Sequence, residues 1–186
     1  MSQTKVTIIT IAILVGILLI GAATIVAINY QQDKRELATS DAAGALNTSA
    51  SSSPYTDFAG NPANLEQYLG QVLVVTSWAS WSPFSEDELT LLADAAAPYA
   101  ADGVVVIAIN RAESKSLAES YLETIGVDKQ VQLIVDNDDR YYREIGGYTM
   151  PETVFYDRKG NIVAHVRGAL TRGEVEQYIE EALTQD

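Results

Sequence analysis

The chain has 186 residues, 47% of them hydrophobic, with no cysteine and a formal net charge of −13. That length holds one domain of ordinary size plus appendages. Without cysteine there are no disulfides, thiolate metal ligands or cysteine nucleophiles, and the acidity argues against nucleic acid and anionic membranes, whose phosphates are met by Lys and Arg.

After a short tail at 1–5, residues 6–28 (VTIITIAILVGILLIGAATIVAI) run without a charge. At about 1.5 Å per residue they span roughly 34 Å, enough to cross a hydrocarbon core of about 30 Å. A cleaved signal peptide is the rival reading, because Gly21, Ala22 and Ala23 are small. The apolar run continues past them to Ile28 and exceeds a usual signal core, so a single transmembrane anchor is expected. Lys5 and the α-amine stand on one side, with Lys34 and Arg35 beside Asp33 and Glu36 on the other, so charge leaves the orientation undecided. Residues 29–54 are small and polar, which predicts a flexible linker averaging on the order of 30 Å end to end. Residues 1–54 hold three basic and three acidic side chains, so the nine basic and 22 acidic ones of 55–186 carry the whole excess. A self-repelling, soluble surface is the simplest consequence.

From Tyr55 to the end, strand and helix patterns alternate. Val72 to Trp78 (VLVVTSW) is a valine-rich run of strand length, as expected for a strand buried on both faces. Pro83 to Pro98 carries Leu89, Leu91, Leu92 and Ala95–Ala97 at helical spacing, and Val104 to Ile109 is a second buried strand. The pair reads as a right-handed βαβ unit. An amphipathic helix is predicted over Ser114–Ile125, a strand over Val131–Val135, and a short helix over Asn137–Ile145, stopped by Gly146-Gly147. Thr153–Tyr156 and Ile162–Val166 flank the turn sequence DRKGN and predict an antiparallel hairpin. Thr171 with Glu174 three residues later predicts a capping box opening a final helix to Leu183. These elements make an α/β domain over 55–186, a mixed sheet covered by helices on both faces.

The order of elements, with Trp78-Ala79-Ser80-Trp81-Ser82-Pro83-Phe84-Ser85 ending the first long strand, resembles the thioredoxin fold. More narrowly it resembles the membrane-anchored TlpA/ResA-like branch of the redoxin, AhpC/TSA-related proteins. Glu88 matches a glutamate near that branch's active-site helix, and YTMPET holds the counterpart of its cis-proline, Pro151. The hairpin VFYDRKGNIVAHVRG matches the one that follows. The resemblance implies a thiol-disulfide oxidoreductase fold displayed on the extracytoplasmic side of a bacterial-type membrane. Its W-C-x-x-C motif is broken here, because Ser82 and Ser85 occupy both cysteine positions. The family's chemistry needs a thiolate of lowered pKa that forms a mixed disulfide, resolved by the second thiol. A serine hydroxyl is far less acidic and forms no stable counterpart of that intermediate.

A serine nucleophile would need a general base, and the only histidine, His165, falls in the predicted hairpin, where a structural role is the commoner one. Ser82 instead suits a helix N-cap with Pro83 at the first helical position, and Glu88 reads as an early-turn acid. Asp136-Asn137-Asp138-Asp139 lacks the glycine and distal glutamate of a calcium loop, so acids at a helix start explain it without a metal. Tyr141, Tyr142 and Tyr148 serve either a groove or helix packing, the second being commoner. In thioredoxin-like relatives the backbone beside the cis-proline pairs with an extended segment. On that resemblance Thr149 and Met150 would supply backbone groups beside Pro151, with Trp81 and Phe84 offering apolar contact. The leading expectation is a redox-inactive domain without cofactor or metal, binding an extended protein segment or membrane-associated protein partner. Two alternatives stay open: an oxidoreductase whose thiols come from a partner or were lost only in this version, and a structural subunit of a membrane assembly.

Overall fold

The computed structural model describes residues 55–57, 59–127 and 129–185. The anchor expected at 6–28 and the linker at 29–54 lie outside these. Among the described residues no helix is long and apolar enough to cross a membrane.

The elements run β1 (Tyr55–Asp57), β2 (Pro62–Ala63), a 3-10 turn (Leu65–Tyr68), β3 (Val72–Trp78), α1 (Ser85–Ala96), a 3-10 turn (Ala97–Asp102) and β4 (Val104–Arg111). There follow α2 (Lys115–Ile125), β5 (Gln132–Asp136), α3 (Arg140–Glu144), β6 (Glu152–Tyr156), β7 (Ile162–Arg167) and α4 (Arg172–Thr184). The sheet has seven strands in the order β2-β1-β5-β4-β3-β6-β7. β3, β4 and β5 are parallel; β6 runs antiparallel to β3, and β1 antiparallel to β5.

Two consecutive right-handed crossovers stepping in one direction place their helices on one face. α1 and α2 obey this rule, and α4 joins them. Leu89, Leu92, Ala118, Leu122, Val175 and Ile179 pack there with Val72, Val74, Trp78 and Val106. The chain then returns from β5 to β6 across the other face. There Leu65 and Tyr141 cover Leu73, Val75, Ile107, Ile109, Ile134 and Val154. Helices therefore lie on both faces, but unequally. Every residue of β3 is buried, which is why it reads as one apolar run with no alternation.

The hairpin turn is held by Asp157, whose Oδ1 accepts from the backbone N–H of Lys159 and Asn161 at 2.9 and 2.8 Å. Gly160 supplies the left-handed residue there, at φ 81°. At Thr171 the capping box is complete, with the Thr171 side chain bonded to Glu174 N–H and the Glu174 side chain bonded back.

Three expectations are corrected. Ser82 is not the N-cap of α1: the cap is Phe84, which makes no side-chain cap bond, and the helix starts at Ser85. The chain spends Ala79–Phe84 on tight turns first, with Ser82 N–H donating to Ala79 C=O and Ser85 N–H to Ser82 C=O. Pro83 consequently precedes the helix instead of opening it. The helix expected from Asn137 starts only at Arg140, because Asp139 sits at φ 55° and the preceding residues form a turn. Glu88 lies in the first turn as expected, yet it is buried, because it faces the sheet. The short strands β1 and β2 at one side of the sheet have no counterpart among the expected elements.

Candidate functional site

The loop Ala79–Phe84 leaves β3 at the carboxyl edge of the parallel strands, where open α/β sheets place their ligands. Antiparallel pairing sets Ser77 opposite Glu152, so the next register position sets Trp78 beside Pro151. The Met150–Pro151 peptide is cis. The loop bearing Ser82, the start of α1 at Ser85 and the segment bearing Thr149, Met150 and Pro151 thus lie at one end of the sheet.

Both serines are buried, at 4% and 3% exposure, which limits their access to any substrate. The Ser85 hydroxyl donates to the Ala79 carbonyl at 2.8 Å, pinning the first turn of α1 to the end of β3. Among the described residues no hydrogen bond links either serine hydroxyl to a basic side chain. His165 is buried in β7, and its Nε2 is held by Glu152 Oε1 at 2.8 Å. The serine–histidine dyad has no geometric basis, and the histidine is structural.

Trp81 and Phe84 are exposed at 66% and 54%, whereas Trp78 is buried and stacked on Tyr121 with ring centroids 5.4 Å apart. A large aromatic side chain in water forgoes burial worth about 1.5–3 kcal/mol, and this loop exposes two of them. Glu113 fixes the loop that carries them: its carboxylate accepts from Ser80 N–H at 2.8 Å and Ser80 Oγ at 2.6 Å. Asn110, at the end of β4, donates to the same carboxylate at 2.7 Å.

Behind the loop, Glu88 Oε1 accepts from Thr153 Oγ1 at 3.0 Å, and that hydroxyl also meets Thr76 Oγ1 at 3.1 Å. Glu88 Oε2 accepts from Leu170 N–H at 3.4 Å. A buried carboxylate here ties α1 to β3, β6 and the entry to α4.

The cis-proline segment is held from three sides. Tyr142 Oη donates to Thr149 C=O at 2.8 Å, and Gly168 N–H to Pro151 C=O at 2.9 Å. Arg111 lies 3.3 Å over the Tyr142 ring, grips Asp139 through two nitrogens at 2.7 and 2.6 Å, and points Nη1 at Met150 Sδ, 2.9 Å away. Hydrogen bonding from Arg111 holds the Asp139 carboxyl below the ordinary carboxylate range, despite some desolvation. Asp136 accepts from Tyr141 N–H at 2.8 Å, so this acidic stretch is used partly in starting α3 and partly in holding Arg111. Glu152 is fully buried and takes Arg167 Nε at 3.1 Å and Tyr148 N–H at 3.2 Å besides His165. Tyr141 and Tyr142 are packing residues, while Tyr148 is 73% exposed with Arg167 over its ring.

Between these anchored carbonyls, Met150 is different. Its backbone N–H and C=O have no hydrogen-bond partner among the described residues. Residues 45–165 match the AhpC/TSA family. The chain belongs to that family. Thiol-disulfide oxidoreductase ResA of Geobacillus kaustophilus is 24% identical over 142 residues, covering 76% of this chain and 80% of that protein. ResA of Bacillus subtilis is 23% identical over 123 residues, covering 66% and 68%. Among solved structures, a putative thiol:disulfide interchange protein DsbE from Chlorobium tepidum superposes with a TM-score of 0.62 at 24% identity, over 71% of this chain and 95% of that one. StoA from Bacillus subtilis gives 0.56 at 17%, over 67% and 92%. The fold is thioredoxin-like, and the chain has no cysteine with which to perform the exchange these relatives are named for.

The residues missed by sequence reasoning are Arg111, Glu113, Tyr142 and Glu152 in their supporting roles. Each of Glu113, Arg111 and Glu152 has a decisive partner far along the chain, Ser80 at 33 positions, Asp139 at 28, and His165 and Arg167 at 13 and 15, which local pattern does not reveal. Asn110, Arg111 and Glu113 do cluster at and just beyond the carboxyl end of β4, which was the one available clue.

Proposed function

We propose that this protein is a membrane-tethered, redox-inactive thioredoxin-like domain that binds an extended protein segment along Met150, between the cis-proline and the Trp81/Phe84 loop. The observation that carries this reading is the open backbone pair of Met150, flanked by carbonyls already occupied by Tyr142 and Gly168. An extended chain adds to such an edge through main-chain bonds, while side-chain pockets set its specificity. Trp81 and Phe84 are the aromatic anchors such binding needs.

Redox inactivity follows from chemistry. Attack on a disulfide needs a thiolate, and release of the product needs a second thiol. Buried hydroxyls at Ser82 and Ser85, one of them donating to a carbonyl, offer neither. The tether is the uncharged run 6–28, and an extracytoplasmic domain is the arrangement the family resemblance supports.

The test is binding of fluorescent extended peptides with alternating apolar residues to the full chain. Trp81→Ala with Phe84→Ala is expected to weaken binding at least about tenfold, as loss of aromatic anchors does. Unchanged affinity would remove this surface from consideration.

A further inference from the structure

The charges around this surface are not evenly paired. On the cis-proline side the arginines meet anions: Arg111 pairs with Asp139, and Arg167 with Glu152. The exposed acids in the first turn of α1 differ. Glu86 and Asp87 are exposed in the first turn of α1, directly after Phe84, and neither forms a salt bridge among the described residues. Glu113 is bonded to the neutral donors of Ser80 and Asn110 and forms no salt bridge among the described residues. Lys115, at the start of α2, is engaged with Glu119 at 3.2 Å.

The three acids share one neighbourhood. All three act on Tyr121, whose hydroxyl is pushed up by burial first and then by the negative fields of Glu86, Glu113 and Asp87. Tyr121 stacks on Trp78, the residue from which the loop departs. The positive end of α1 amounts to about half a charge and is outweighed by its own acids. An anionic segment is therefore disfavoured at this flank, even though a helix N-terminus faces it.

We infer that the partner segment is cationic: an extended chain whose apolar residues meet Trp81 and Phe84 and whose flanking Lys or Arg residues meet Glu86, Asp87 and Glu113. This rests on the binding reading above and adds the chemistry of the occupant. Complementary charge raises the encounter rate and suppresses acidic competitors, while the aromatic pair and the Met150 edge supply sequence-tolerant affinity.

The experiment uses the full chain in non-ionic detergent and three labelled peptides. Each has the same core of alternating Val, Leu and Ser residues, flanked at both ends by two Lys, two Ser or two Glu. At low salt the Lys-flanked peptide is expected to bind about tenfold tighter than the Ser-flanked one, as several screened pairs together provide, with the Glu-flanked peptide weakest. The Lys advantage disappears at high salt, and Glu86→Gln/Asp87→Asn narrows it. Equal affinity for all three peptides overturns the cationic partner while leaving the binding surface standing. A Lys advantage untouched by the double variant overturns the assignment to these acids. Failure of all three to bind overturns both readings.

Discussion

The hydroxyl of Ser85 donates to the carbonyl of Ala79 across 2.8 Å, in the interior. The second of the two family cysteine positions thus serves as a structural pin between β3 and α1. Ser85→Ala leaves Ala79 C=O with only the Ser82 N–H. A buried hydrogen bond of this kind is worth about 0.5–1.5 kcal/mol. Urea unfolding should show that loss with an unchanged m-value; no loss would mean the contact is not formed in solution.

Glu113 collects three donors, Ser80 N–H and Ser80 Oγ from the loop after β3 and Asn110 Nδ2 from the end of β4. Glu113→Ala orphans all three and should cost about 1–3 kcal/mol. It should also raise the mobility of Trp81. Fluorescence anisotropy in a Trp78→Phe background, where Trp81 is the sole tryptophan, reports this directly. Glu113→Ala is expected to lower it, and unchanged anisotropy would show that the loop holds itself.

A Cβ added at Gly147 would lie 2.5 Å from the Tyr142 ring. That ring carries Arg111 on its face and its hydroxyl holds Thr149 C=O. Gly147→Ala must therefore displace Tyr142, at a cost of about 1–3 kcal/mol. Peptide binding at Met150 should weaken with it, whereas thermal melting alone would register only the stability loss.

The strands and hairpin were legible because their signals are local. β3 is a seven-residue apolar run, and Thr171 with Glu174 announces α4 within four residues. β1 and β2 were not, since strands of three and two residues carry no periodicity; β1 owes its place to β5, and β2 to β1. Ser82 followed the N-cap preference of its residue type, but the turns pinned by Ala79 delay the helix to Ser85. Pro151 was found because its motif survives around it. Glu88 was placed by position in its helix, yet only tertiary packing onto Thr153 decides that it is buried.

Asp139 supplies a pH dependence whose sign is fixed by the direction of its shift. Its carboxyl is held below the ordinary value, chiefly by hydrogen bonding to Arg111. The unfolded chain therefore binds the proton more readily, so this contribution is present above pH of about 4 and lost as pH falls through the lowered value. Comparing wild type with Asp139→Asn by chemical unfolding should give a stability gap at pH 7 that closes on acidification below about pH 4. A gap independent of pH would mean the ion pair contributes nothing to folding.

Glu152 has no solvent contact and is held by His165, Arg167 and Tyr148 N–H. Removing one member of a buried ionic group costs about 3–5 kcal/mol, because its partners lose compensation. Glu152→Ala is expected to fall in that range by urea unfolding, and so is Arg167→Met, which leaves the Glu152 carboxylate buried without its arginine. Equal, small losses for both would contradict the burial of this carboxylate.

The central claim is a thioredoxin-like site complete except for sulfur. Reduction of insulin by dithiothreitol, followed with the wild type and with Ser82→Cys/Ser85→Cys, tests it most directly. The account predicts background rates for the wild type and turnover for the double variant. Turnover by the wild type, or a silent double variant that still folds, would contradict it.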